Sequence, residues 1–231
     1  MNRIALHSLA IAIVALPVLG GLSVVLGGNA FVEGPNPSLT GAFAVGGKQA
    51  EDNCTQCHQD FENPASPRDN LNRQDGKVEI LDVPGQYEPG ALYTLRVRLA
   101  SDATLSSPFR RWGFELTAVR AIDGEGAGTF VLPAGDSLQV KAGTDELSSR
   151  AYIEHTFIGT RPGLGGPVEW SLQWRAPNAA VGTLYFFCAG NAADGAGGND
   201  EDFIYTTSDS TAALAVPVNR MSWGALKQRF R

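Results

Sequence analysis

Tyr93-Thr94-Leu95-Arg96-Val97-Arg98-Leu99 sets Tyr93, Leu95, Val97 and Leu99 on one side of an extended backbone and Thr94, Arg96 and Arg98 on the other. That period of two is the mark of a strand with one buried face. Residues 77–83 repeat it, and Pro84-Gly85 and Pro89-Gly90 punctuate the two runs. Further strand candidates follow at 112–120, 128–132, 137–141, 151–157, 168–175, 182–188, 202–206 and 211–216. Turn residues separate them at short intervals, helped by 27 Gly and 13 Pro in 231 residues, and helical periodicity is missing between them. About eight to ten short strands of this kind specify an all-β fold, an antiparallel β-sandwich. The alternation puts Trp112, Phe114 and Leu116, and likewise Trp170, Leu172 and Trp174, between the two sheets. Tyr185, Phe186 and Phe187 are consecutive, so at least one of them must face away from that core.

The pentapeptide Cys54-Thr55-Gln56-Cys57-His58 carries the chemistry. Two thiols at this spacing can form thioethers with porphyrin vinyl groups, and a histidine beside them can bind the iron, which is the attachment pattern of a c-type haem. The chain has 3 Cys and 3 His, and this window takes two of the former and one of the latter. A Cys54–Cys57 disulfide and a zinc site on Cys54, Cys57 and His58 are the alternatives. No second Cys-x-x-Cys or His-x-x-x-His exists to complete the zinc set, and no βαβ pattern accompanies the motif as a dithiol oxidoreductase would require.

A formal charge of −6 and a pI near 5.1 argue against nucleic acid as a partner. One cation, Arg3, precedes an apolar run from Ile4 to Gly28 that is broken by His7, Ser8 and Ser23. At about 25 residues this exceeds the ~7–15 of a cleavable signal and reaches the ~20 that a span needs. We read it as a retained single-pass anchor in the inner (cytoplasmic) membrane, N-terminus cytoplasmic, with the main domain in the periplasm. Cleavage after Gly28-Asn29-Ala30 is the alternative. The expected organisation is an anchor or uncleaved signal at 1–30, a linker at 31–47, a haem-binding segment at 48–76, the sandwich at 77–217 and a basic amphipathic tail at 218–231.

Tyr87-Glu88-Pro89-Gly90-Ala91-Leu92-Tyr93, Arg111-Trp112-Gly113-Phe114-Glu115-Leu116 and Tyr152-Ile153-Glu154-His155-Thr156 form a further set of local motifs. Trp174-Arg175-Ala176-Pro177, Phe187-Cys188-Ala189-Gly190-Asn191-Ala192-Ala193 and Asp202-Phe203-Ile204-Tyr205 complete it. Together they resemble the reeler-like, or choice-of-anchor, β-sandwich domains of secreted bacterial proteins. That resemblance implies a sandwich often preceded by a CxxCH segment, which follows a Thr-Gly-Ala-Pro-Gly lead. Thr40-Gly41-Ala42-Phe43-Ala44 keeps only the beginning of that lead. Cys188 stands where the resemblance implies a small residue, and we read it as a buried free thiol that packs as a small hydrophobe.

His58 is expected on the proximal side of the iron. For the other side the candidates are His155, Met221, water or nothing. His155 is the one histidine outside both the motif and the apolar run, and the plain alternative for it is a half-buried ring bonded to a neighbouring carbonyl. Met221 lies in the tail, where Trp223, Leu226 and Phe230 fall at helical spacing beside Lys227, Arg229 and Arg231. That tail suits an anionic membrane surface or an acidic partner. Asp194, Asp200, Glu201 and Asp202 sit in a Gly-rich loop that is a candidate for Ca²⁺, although its spacing fits no EF-hand. The expected function is a membrane-anchored monohaem c-type cytochrome with one covalent haem c. It would transfer electrons, rather than act as a stand-alone enzyme, as one subunit of a respiratory or photosynthetic membrane complex. The alternative is a structural or assembly subunit of such a complex, whose sandwich and anchor bind partners without a redox-essential haem.

Overall fold

Alternating residues become strands wherever Gly, Pro or a left-handed residue ends the run. In the computed structural model, which describes residues 33–59, 65, 68–103, 109–135, 137–196, 198–199 and 201–215, ten strands form. They are β1 (Gly76–Leu81), β2 (Gln86–Tyr87), β3 (Leu92–Ser101), β4 (Arg111–Arg120), β5 (Thr129–Val131), β6 (Leu138–Ala142), β7 (Ala151–His155), β8 (Val168–Arg175), β9 (Leu184–Ala193) and β10 (Phe203–Ala213). A four-stranded sheet in the order β1-β3-β8-β5 packs on a six-stranded sheet in the order β2-β10-β9-β4-β7-β6. The expected all-β sandwich is therefore present.

Three details differ from the alternation pattern. The candidates at 202–206 and 211–216 are one strand, β10, because β9 pairs with it continuously from Phe203–Ala192 to Thr211–Leu184. Asp82 adopts φ +65° and ends β1 before Val83, a conformation Asp tolerates better than most residues. The ladders are antiparallel except at β2, which pairs parallel with the end of β10. The apolar run at 4–28, with His7, and the tail with Met221 lie outside the described residues. Among the described residues no helix is long and apolar enough to cross a membrane.

The core lies between the sheets. Trp112, Phe114, Leu116, Trp170, Leu172 and Trp174 are each no more than 1% exposed, as the alternation requires. The three indole N–H groups donate to the carbonyls of Leu164, Gly159 and Ala127 at 2.8–2.9 Å, so burial leaves no donor unmet. Truncating a core Trp to Ala would cost about 3–5 kcal/mol. Cys188 is a free thiol inside this core, opposite Leu116.

The outer face of the six-stranded sheet is covered as well, which is why β4 is buried along nearly its whole length. The stretch read as a linker lies there: Ala42 and Val45 pack with Val119 and Phe187, and Phe43 meets Tyr185 and Phe187 edge to face. The run Tyr185-Phe186-Phe187 thus divides between two faces, with Phe186 in the inter-sheet core and Phe187 under the covering segment at residues 33–59, which we call the strap.

Candidate functional site

Residues 33–59 reach the sheet through buried polar contacts. Glu115, on the outer face of β4, accepts the amides of Ser38 at 3.1 Å and Leu39 at 2.9 Å. Glu51 accepts the Thr40 hydroxyl at 2.5 Å and the Tyr152 hydroxyl at 2.7 Å, and it pairs with the guanidinium of Arg150. These contacts deliver the chain to Asn53, whose side chain accepts the Thr55 amide at 2.9 Å and caps a 3₁₀ turn at Cys54–Gln56. The turn closes as the Cys57 and His58 amides donate to the Cys54 carbonyl at 3.2 and 2.9 Å. Cys54 then packs on Ala189 of β9, Ile204 of β10 and Leu71.

The motif faces a cavity of about 120 Å³, walled by Leu39, Trp112, Phe114 and Ala193 and lined also by Cys54, Cys57, His58 and His155. One water needs about 10–15 Å³ of such space, so the cavity suits a molecule of many atoms. His155 reaches it from the end of β7. The β4–β7 ladder stops at Glu115–Glu154, and beyond it the imidazole Nδ1 meets the Phe114 N–H at 3.0 Å and the Phe114 C=O at 3.2 Å. Gly113 makes room for the ring, because a Cβ there would lie 2.5 Å from His155 Cε1. The plain alternative for His155, a ring bonded to neighbouring backbone, describes Nδ1, and the ring also lines the cavity.

His58 is held from the opposite side. Its Nδ1 is bonded to the Asp202 carboxylate and lies 3.2 Å from the Asn191 amide nitrogen. Asn70 donates to the carbonyls of His58 at 3.0 Å and Asp202 at 2.6 Å, and Asn199 donates to the Cys57 carbonyl at 2.7 Å. The side-chain oxygen of Asn191 is buried without a partner. The sequence pattern points to none of these as partners of the Cys54–His58 motif. Asn191 and Asp202 belong to two of the local motifs quoted above, and a polar residue on a buried strand face was the available signal. Asp202 is also one of the Ca²⁺ candidates, and its carboxylate is turned to His58 and to the Asp194 amide, 3.2 Å away.

Burial sets the electrostatics. It pushes the His155 imidazole down to about 4, with Lys141 and His58 adding to the effect, so the ring is neutral at neutral pH. It pushes the Cys54 thiol well up, helped by the Glu115 carboxylate, so Cys54 is a thiol rather than a thiolate. Cys54 and Cys57 are free rather than joined in a disulfide. Among the described residues no three His, Cys, Asp or Glu side chains come together as a metal-ligand group.

No protein-family model and no curated protein matches the chain. Solved structures similar to it include the human F-spondin reeler domain, 19% identical over 61% of this chain and 89% of that one, with a TM-score of 0.38. A cohesin module from a Clostridium perfringens family 33 glycoside hydrolase is 14% identical over 61% and 98%, with a TM-score of 0.34. An uncharacterized Nocardia farcinica protein with an immunoglobulin-like fold is 13% identical over 64% and 88%, with a TM-score of 0.31.

Proposed function

We propose that this chain is a monohaem c-type electron-transfer protein, held at a membrane by its N-terminal segment as one subunit of a larger redox complex. Haem would attach through Cys54 and Cys57, with His58 and His155 as the iron's two protein ligands. One observation carries the reading: both thiols of the motif and two histidines far apart in sequence line the same cavity. The donor set fits the group, since thioether formation uses two unpaired cysteines and ligation uses neutral imidazoles.

The group would supply one-electron chemistry at its iron. The chain's own residues bind and orient. Hydrogen bonding at His58 runs through Nδ1 and leaves Nε2 for a metal. At His155, Nδ1 faces both the Phe114 N–H at 3.0 Å and the Phe114 carbonyl at 3.2 Å, and ligation would use the tautomer whose Nδ1–H is donated to that carbonyl, with the lone pair on Nε2. Leu39, Trp112, Phe114 and Ala193 line the cavity and would help to keep water from it. Near the cavity, Phe109, Phe157, Ile158 and Leu164 are half or more exposed. Two of them touch cavity residues directly: Arg111 stacks on Phe157 and the Trp112 indole donates to the Leu164 carbonyl. Such an apolar rim suits a docking partner. The alternative, an assembly subunit without a redox-essential haem, draws on the same rim.

The optical and EPR spectra of the haem-loaded protein test the ligation. The wild type should be six-coordinate and low spin, and His155→Ala should turn it high spin or recruit water. A wild type that is already high spin, or a variant with an unchanged spectrum, would remove His155 from the iron.

A further inference from the structure

The imidazole of His58 is bonded at Nδ1 to a carboxylate, where a backbone carbonyl or water would also serve to orient a ligating histidine. Asp202 is 2% exposed, and among the described residues its carboxylate is paired with no lysine or arginine. Three other contacts fix its place: its second oxygen accepts the Asp194 amide, its own carbonyl accepts Asn70, and Asn70 also holds the His58 carbonyl. The backbone of the motif and the backbone of its charged partner are thus clamped by one amide side chain. Asn199 ties Cys57 to the same loop.

We propose that Asp202 is the positioning residue of the proximal ligand. It fixes the Nδ1–H tautomer of His58 and, as a buried anion, makes the imidazole a stronger donor to iron, which holds the Fe(III)/Fe(II) couple low. The physical ground is that a carboxylate accepting the ligand's far N–H raises its basicity and orients the ring, and a more basic ligand favours the higher iron charge. A neutral acceptor in the same place would orient the ring without that electronic effect. The inference rests on the haem reading above, and it gives the six-coordinate site a direction: the protein is an electron donor at low potential.

Two measurements decide it. In the haem-loaded full chain, Asp202→Asn keeps an acceptor oxygen and removes the charge. Its midpoint potential should rise by the equivalent of about tenfold or more in the oxidation equilibrium, ~59 mV for one electron, at unchanged haem content. An unchanged or lower potential overturns the proposal while leaving haem attachment intact. Nitrogen NMR of His58 in the haem-free wild-type chain is the second measurement, and it needs neither the variant nor the cofactor. It should find the proton on Nδ1. A proton on Nε2 alone overturns the proposal whatever the haem content, whereas failure of the haem reading appears separately as an absence of covalent haem.

Discussion

Glu51, Glu115, Arg150 and Glu154 are all buried against the outer face of the six-stranded sheet. At Glu154 burial outweighs the Lys141 ammonium 2.6 Å away and pushes the carboxyl from 4.5 up to about 7. A carboxyl with a raised value in the folded state holds its proton more tightly than the unfolded chain does. Its contribution to stability is therefore full below pH 4.5 and is lost as the pH rises through 7. Glu154→Gln keeps an acceptor for Gln139 and Lys141 and removes the titration. The variant should gain on the wild type by roughly 2 kcal/mol between pH 4.5 and pH 8, read from urea unfolding at each pH. A pH-independent difference would place the Glu154 carboxyl in its ordinary range. The residues of the motif were legible in the sequence because the spacing of Cys54, Cys57 and His58 is local chemistry. Asp202, Asn191 and Asn70 were not, because their role exists only once β9, β10 and the motif are brought together from distant parts of the chain.

At the scale of elements, alternation located the strands well wherever one face meets the core, as in β3 and β8, whose partners Leu95–Leu172 and Val97–Trp170 all point inward. It failed on β9 and β10, where residues such as Phe187, Ala189 and Ile204 are buried on the outer face too, so the pattern loses its contrast. The cause is the strap at residues 33–59, whose first part, up to 47, reads as a linker because its Gly, Pro and Asn residues form no regular element. Its hold on the sheet is the buried Glu51–Arg150 pair. One Arg150 nitrogen already lacks a partner, so removing Glu51 would leave an uncompensated buried cation. Glu51→Ala should cost about 3–5 kcal/mol. The loss would appear in chemical denaturation and in faster hydrogen exchange of the Gly41 and Glu51 amides, which bond to Asp52 and Ala42 within the strap. A loss below about 1 kcal/mol would mean that Glu115 and the apolar contacts hold the strap alone.

For the molecule as a whole, the sandwich is a floor across which the strap lays the pentapeptide Cys54–His58. Neither part encloses the site alone: Cys54, Cys57 and His58 come from the strap, and His155, Gly113 and Asn191 come from β7, β4 and β9. Under the haem reading proposed above, this division takes the place of a helical body, which the described residues do not hold. The measurement that bears most directly on the account is a pyridine haemochrome assay with intact mass, on the full chain expressed with a c-type maturation system and purified from membranes. The account predicts one covalent haem per chain, lost when Cys54 and Cys57 are both changed to Ser. A wild-type chain with the mass of the polypeptide alone and no c-type spectrum would contradict it.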